Sequence, residues 1–483
     1  MKHYPHLYID GAWVEPIEPR EVELIDPTRE EPFAKVALGS AADVDLAVAA
    51  ARRAFDTFSV TSADERIALI DRIIDVYESH IGDFSELIAR EVGIPVSNRG
   101  QVTGPAEHMK VARDILRDYP FESHIGGAIV RREPIGVCAL ISPWNWPIQT
   151  GVIKIIYALA AGCTVIAKPS VNSAASGALF AQVLHEANVP PGVFNLVNGA
   201  GRAVGNALSS HPDVDMISFT GSTDAGRQVG IAAANTVKRV CLELGGKSAN
   251  IVLPDADLEK AARWNIQRGF FNAGQSCHAP TRMLVHESQI EQVVPFLVDE
   301  ANRFHLGDPL ESSTTMGPVV SAAQAKSIKN LIQSGLDEGA RLVTGGPERP
   351  DGLDRGYFVQ PTVFTDVTPE MTIAREEIFG PVLAVIPYRD ENDALRIAND
   401  SPYGLGGFVF GGDETAGRRV VNGLRAGRVS YNGAATDSYS PMGGYKQSGI
   451  GRSMGRFGFE EYLEVKSVYG FEDEAQALPL LFG

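Results

Sequence analysis

The chain has 483 residues, 44% of them hydrophobic and 21% charged, with a formal net charge of −17. That length exceeds one ordinary core, so two or three domains are expected, in a composition typical of globular proteins. The negative balance lacks the basic footprint that nucleic acid requires, and anionic membrane surfaces repel it.

The N-terminal "MKHYPHLYIDGAWVEP" carries Asp10, Glu15 and two prolines where a signal peptide needs an apolar core. The four cysteines, Cys138, Cys163, Cys241 and Cys277, form no C-x-x-C pair, so a reduced, cytoplasmic chain is expected. Two capped helices follow. Ser40 and Asp43 precede the stripe Val44, Ala47, Ala50, Ala51; Ser62 and Glu65 precede Ile67, Ile70, Ile73, Ile74. The segment 119–134 and the C-terminal "EEYLEVKSVYGF" alternate like exposed strands that pair or mediate assembly.

From Ile135 the runs "IGVCALISP", "CTVIAKPS", "VFNLVNG", "MISFTGS" and "RVCLELGG" read as buried strands separated by helix-length gaps. This alternation predicts βαβ units and a parallel sheet, whose ligands bind beyond the carboxyl ends of the strands. The apolar stretch "GVIKIIYALAAGCTVIAKPS" is broken by Lys154 and Gly162 and changes period midway, as a helix leading into a strand would, so it is read as buried and not transmembrane. A second α/β series runs from about Leu258 to Tyr431.

Several strand ends carry candidate chemistry. "NGAGRAVG" has the spacing G-x-G-x-x-x-G, a weak dinucleotide signal that an ordinary turn explains better. In "FTGSTDAGR", Gly221, Ser222 and Thr223 offer N–H groups at a helix start, suited to phosphate or to simple capping. Lys168, before Pro169, is placed for ribose hydroxyls or phosphate, or is a solvated loop lysine. Glu243 ends a buried strand, where desolvation raises a carboxyl pKa towards that of a general base; a structural salt bridge is the alternative. Cys277 sits among glycine, serine and amide residues and not in an apolar run, so it is a candidate nucleophile as well as a small buried side chain. Adjacent side chains diverge, so His278 is not its base, and no second Cys or His stands at metal-ligand spacing.

Taken together, "PWNWP" (143–147), "KPS" (168–170), "FTGS" (219–222), "ELGGKS" (243–248), "GQSC" (274–277), "EEIFGPV" (376–382), "NDSPYGL" (399–405) and "GGYKQSGIGR" (443–452) resemble the aldehyde dehydrogenase superfamily over nearly the whole chain. The resemblance implies a Rossmann-like parallel-sheet cofactor domain (1–118 and 135–246), an α/β catalytic domain (247–450), a β-strand oligomerisation arm (119–134 and 460–475) and a tail (476–483). It implies Cys277 as nucleophile, Asn145 with the Cys277 N–H as oxyanion hole, Glu243 as the base for thioester hydrolysis, and Lys154 in proton movement. Cofactor contacts are implied for Trp144, Lys168, Ser170, Gly221, Ser222, Leu244, Gly245, Glu377 and Phe379, with no metal.

The implied activity is NAD(P)-dependent oxidation of a small-molecule aldehyde to the acid, in a homodimer or homotetramer. Acyl transfer to coenzyme A and an inactive relative are the alternatives, and Glu243 favours hydrolysis over acyl transfer. Val171 stands where NAD-preferring relatives often carry a glutamate, which opens the site to NADP, and Ser453 replaces a glutamate linked to proton relay. Trp146, Gln149, Ser276, His278 and the stretch "NGAATDSYSPMG" are expected to shape the substrate entrance; that stretch lacks arginine and lysine, which disfavours an acidic semialdehyde.

Overall fold

The computed structural model describes residues 1–470, so the expected tail 476–483 and residues 471–475 of the expected arm lie outside the described residues. Both capping boxes form. The Ser40 N–H donates to Asp43 Oδ2 at 2.7 Å, and Ser62 and Glu65 exchange bonds of 2.7 and 3.2 Å at the start of Ala63–Ser79. These helices pack their apolar stripes onto the first sheet's cores.

The five apolar runs from Ile135 form the parallel centre of an eight-stranded sheet. Its order is Arg239–Glu243, Met216–Thr220, Val137–Ser142, Thr164–Pro169, Phe194–Leu196. Every residue of Val137–Ser142 and Thr164–Pro169 is buried, as a sheet covered by helices on both faces requires. Strand order reverses between Val137–Ser142 and Met216–Thr220. Loops leaving the carboxyl ends there run apart and open a crevice.

Two short additions to this sheet have no counterpart in the apolar pattern. An Asp10-Gly11 turn joins Leu7–Ile9 to Ala12–Val14, and the hairpin extends the sheet antiparallel beyond Phe194–Leu196. At the opposite edge Gly449–Ile450 pairs antiparallel with Arg239–Glu243, placing Gly449 against Glu243. Gly449 has φ +148°, and a Cβ on it would lie 2.0 Å from the Leu242 carbonyl, so no other residue fits there.

Only Leu244–Ser248 separate Glu243 from Ala249–Val252, the first strand of a second sheet, which therefore opens before the helix at Leu258. Seven strands make it, in the order Arg341–Thr344, Thr362–Thr365, Val382–Tyr388, Arg282–His286, Ala249–Val252, Gly406–Phe410, Arg428–Tyr431, all parallel except the first pair. A separate apolar core fills it. Glu122–Ile125, Ala128–Pro134 and Leu463–Val468 form a three-stranded antiparallel sheet. Among the described residues no helix is long and apolar enough to cross a membrane.

Candidate active site

The Val137–Ser142 strand runs into Pro143–Trp146 and then into the helix Pro147–Ala161, whose Pro147 is preset for a first helical turn. Asn145 sits in that connection, 5% exposed. Its backbone carbonyl accepts from Asn272 Nδ2 at 2.9 Å, and its own Nδ2 donates to the Gln275 carbonyl at 2.9 Å. Gln275 is held in turn by the Val320 N–H (3.0 Å) and the Asn272 carbonyl (3.1 Å). Asn272 and Ala273 both take left-handed backbone, φ 58° and 52°, a strained arrangement that these buried amide bonds sustain. The loop bearing Cys277 is thus fixed to the end of the first sheet before any ligand arrives.

Cys277, Asn145 and Thr220 line two cavities at once. One, of about 270 Å³, also holds Glu243, Lys154, Trp146 and His278 in its wall. The other, of about 260 Å³, opens at the reversal of strand order and is walled by Trp144, Gly221, Ser222, Gly245, Glu377 and Phe379. Leu244 lines it as well. The sulfur stands between a pocket with a carboxyl group and a cleft at the strand ends.

Glu243 is 5% exposed, and neither of its carboxyl oxygens makes a hydrogen bond of ordinary geometry. Burial pushes its pKa up to about 8, and the Lys154 ammonium and then the Ser453 hydroxyl keep it from rising further. Ser453 therefore still bears on the carboxyl electrostatically. Lys154 itself donates to Ser218 Oγ at 2.7 Å, and burial lowers its pKa against the opposing pull of Cys241 and Glu243. Desolvation pushes the Cys277 thiol up to about 12, with Glu377 and Glu243 adding, while its own N–H and that of His278 act the other way.

His278 turns from the sulfur to Arg268, whose Nη2 donates to His278 Nε2 at 3.1 Å. Burial and the guanidinium groups of Arg268 and Arg428 push the His278 pKa down to about 3, so the ring is neutral and a wall of the cavity. Trp146 Nε1 donates to Ser276 Oγ at 3.1 Å and its ring stacks on Phe271.

On the cleft side, Glu377 accepts from the Gly246 N–H at 3.0 Å and is pushed up to about 7 by burial. A Cβ on Gly245 would lie 2.3 Å from Glu377 Oε2, so the carboxylate reaches its position because that residue has no side chain. The Trp144 and Phe379 rings meet edge to face, 5.5 Å between centroids. Ser222 caps the helix Thr223–Ala234, its Oγ accepting from the Ala225 N–H at 3.3 Å. Lys168 and Ser170, also expected at the cofactor, lie at the carboxyl end of the adjacent Thr164–Pro169 strand, outside the walls of this cleft; Lys168 Nζ donates to the Pro169 carbonyl at 3.2 Å.

Three further ionisable side chains line the inner cavity without having been singled out from sequence: His108, Arg268 and Arg428. They come from the helices Gly100–Asp118 and Leu258–Phe270 and from the start of Arg428–Tyr431, and no local motif marks them. Trp146, Thr436, Asp437 and Met442 line it from the expected loops, and Gln149 from the first turn of the helix Pro147–Ala161.

The aldehyde dehydrogenase family model matches residues 13–468. The chain is 50% identical over 475 residues to a 3-succinoylsemialdehyde-pyridine dehydrogenase of a Pseudomonas species, covering 98% of this chain and 100% of that protein. It superimposes with a TM-score of 0.96, at 49% identity and 97% coverage of both chains, on a mutant aldehyde dehydrogenase of Pseudomonas syringae in complex with NAD+ and octanal. A Mycobacterium tuberculosis aldehyde dehydrogenase complexed with NAD+ gives a TM-score of 0.94 at 41% identity, over 97% of this chain and 98% of that one.

Proposed function

The chain belongs to the aldehyde dehydrogenase family, and from that premise we propose that Cys277, Asn145 and Glu243 oxidise an aldehyde to its carboxylic acid with NAD+. The observation that carries this reading is the double exposure of Cys277 and Asn145. One side faces a pocket that holds a candidate base; the other faces a cleft at the strand-order reversal.

The cleft fits a nicotinamide dinucleotide. It lies where parallel sheets bind nucleotides, a helix N-terminus and its free N–H groups open onto it, and Glu377 is held within it as an acceptor for ribose hydroxyls. Gly221, Ser222 and the helix start would hold the pyrophosphate, Trp144, Leu244, Gly245, Glu377 and Phe379 the nicotinamide end, and Lys168 and Ser170 the adenine-side ribose. Val171 presents no carboxylate to repel a 2′-phosphate, so NADP+ enters this reading as a second cofactor. NAD+, when bound, supplies the acceptor for the two electrons and one hydrogen that leave the substrate carbon.

The residues act in sequence. The Cys277 sulfur bonds to the aldehyde carbon as its proton leaves through water to solvent, and the carbonyl oxygen gains negative charge. Asn145 Nδ2 has one hydrogen on the Gln275 carbonyl and a second left for that oxyanion, beside the Cys277 N–H. Loss of the substrate hydrogen restores the carbonyl as a thioester on Cys277. Glu243 then takes a proton from water, the hydroxyl adds, the carbon–sulfur bond breaks and the thiol is regenerated. Aldehyde and water thus become acid, with two electrons and one hydrogen delivered to the cofactor and one proton released to solvent.

The three-stranded sheet supports an assembly role. Both its outer strands are open edges, and Ile125 and Val465 on them are 64% and 57% exposed, a surface suited to a second copy of the chain as homodimer or homotetramer. Four free thiols fit a reducing compartment such as the cytoplasm. The decisive assay incubates the protein with NAD+ and a medium-chain aldehyde. One equivalent each of acid and reduced cofactor is expected, and acyl-coenzyme A in place of acid when coenzyme A is added would replace hydrolysis by acyl transfer.

A further inference from the structure

Building on that reading of the site, we propose that the cavity behind Cys277 selects aldehydes that carry a carboxylate at the end remote from the carbonyl, held by Arg268 and Arg428. Each guanidinium offers five N–H donors, and the structure engages few of them. Arg268 Nη2 donates to a neutral imidazole nitrogen of His278, and Arg428 Nη2 to the Ser440 carbonyl at 3.3 Å. Among the described residues neither arginine has a carboxylate within 4.0 Å. Arg263, on the same helix as Arg268, contacts Glu259, Asp299 and Glu300.

The two cations also repel each other. Burial first and the charge of Arg428 next lower the pKa of Arg268, and burial lowers that of Arg428. Two acids share the wall: Glu243, with its raised pKa, at the sulfur end, and Asp437, exposed and already accepting from Tyr439 and Ser440. Asp437 and Glu243 pull the Arg428 pKa up, but neither forms an ion pair with it. His108, 4% exposed, adds a ring nitrogen, Nδ1, with no hydrogen-bond partner, and its pKa is pushed down to about 4, so it brings no charge at neutral pH.

A neutral oxygen would accept one N–H and leave the repulsion in place. A carboxylate removes it and matches the planar fork of a guanidinium. Trp146, Ile153, Met442 and Met454 in the same wall give apolar surface for a short hydrocarbon spacer. The cavity, of about 270 Å³, has room for such a spacer. Arginines placed outside the loop "NGAATDSYSPMG" thus reverse the expectation drawn from that loop alone.

The test compares kcat/KM for three short linear aldehydes of matched length: one ending in a carboxylate, its methyl ester, and the plain alkanal. The wild-type protein should prefer the acid over the ester by at least about tenfold, the scale of a charge-assisted hydrogen bond. Arg268→Met should abolish that preference, chiefly by raising KM for the acid, and Arg268→Lys should restore part of it. Equal or better turnover of the ester or alkanal by wild type overturns the proposal while leaving aldehyde oxidation standing, and this comparison holds even if the variants fail to fold. Equal losses on acid and ester in Arg268→Met also overturn it. No cofactor reduction with any aldehyde overturns the enzymatic reading itself.

Discussion

The side-chain amide of Asn145 donates to the backbone carbonyl of Gln275 across 2.9 Å, two residues before the sulfur of Cys277. One amide hydrogen is therefore an anchor, and the direction of the other is set by it. Asn145→Ala removes both. It should lower kcat by roughly a hundredfold, the ~3 kcal/mol typical of one oxyanion donor, with cofactor affinity little altered. Rapid-mixing measurement of the first turnover distinguishes this loss from one in hydrolysis.

Cys277→Ala should abolish acid formation and still bind NAD+, read by titration of tryptophan fluorescence. Glu243→Gln should release about one equivalent of reduced cofactor per site and then stall, because the thioester forms but water is not activated. Mass spectrometry should find the acyl group on Cys277. Turnover of Glu243→Gln at the parent rate would remove Glu243 from its assigned role.

With Glu243 raised to about 8, most of it is protonated at pH 7 and cannot accept a proton from water. Hydrolysis should accelerate as pH rises through about 8 and level off above it. In Glu243→Gln the residual rate should lack this step. The measurement is kcat against pH under saturating substrate and cofactor.

Lys154 exerts the largest of the pulls that hold down the Glu243 pKa. Lys154→Met keeps the buried volume and removes the charge, so the carboxyl should titrate at higher pH. A shift of roughly one unit in the pH–rate profile, equal to ~1.4 kcal/mol, would lower the rate at pH 7 about tenfold. Stability should not fall, since an apolar side chain replaces a buried amine; thermal unfolding checks this.

Gly245→Ala places a methyl group 2.3 Å from Glu377 Oε2. The carboxylate is the movable partner, so it should leave its bond to the Gly246 N–H while the fold survives. About a tenfold rise in the KM for NAD+ is expected, with the KM for aldehyde nearly constant. Glu377→Gln provides the comparison for a carboxylate lost without displacement.

Buried strands were legible because they are apolar on both faces: all five runs from Ile135 became parallel strands of the first sheet. The shortest strands were not. Ala249–Val252 has four residues and Gly449–Ile450 two, too few to show a period, and the Asp10-Gly11 turn was the one available sign of the first hairpin. Glu243 and Cys277 could be picked out by type and position, and Asn145 and Glu377 only through the family motifs that carry them. Arg268, Arg428 and His108 could not, because a polar side chain on an amphipathic helix or at a strand start reads as solvated until the fold turns it inward.

Glu243 pairs with Gly449, so its strand acquires an outer neighbour only from a part of the chain made much later. Ribosomes add about 5–20 residues per second, which leaves that edge bare for roughly 10–40 s during synthesis. An unpaired, apolar strand edge is a template for stray pairing over that interval. Chaperone dependence during expression, and sensitivity to truncation before Gly449, follow from the same two-residue strand that closes the sheet beside the Glu243 carboxyl.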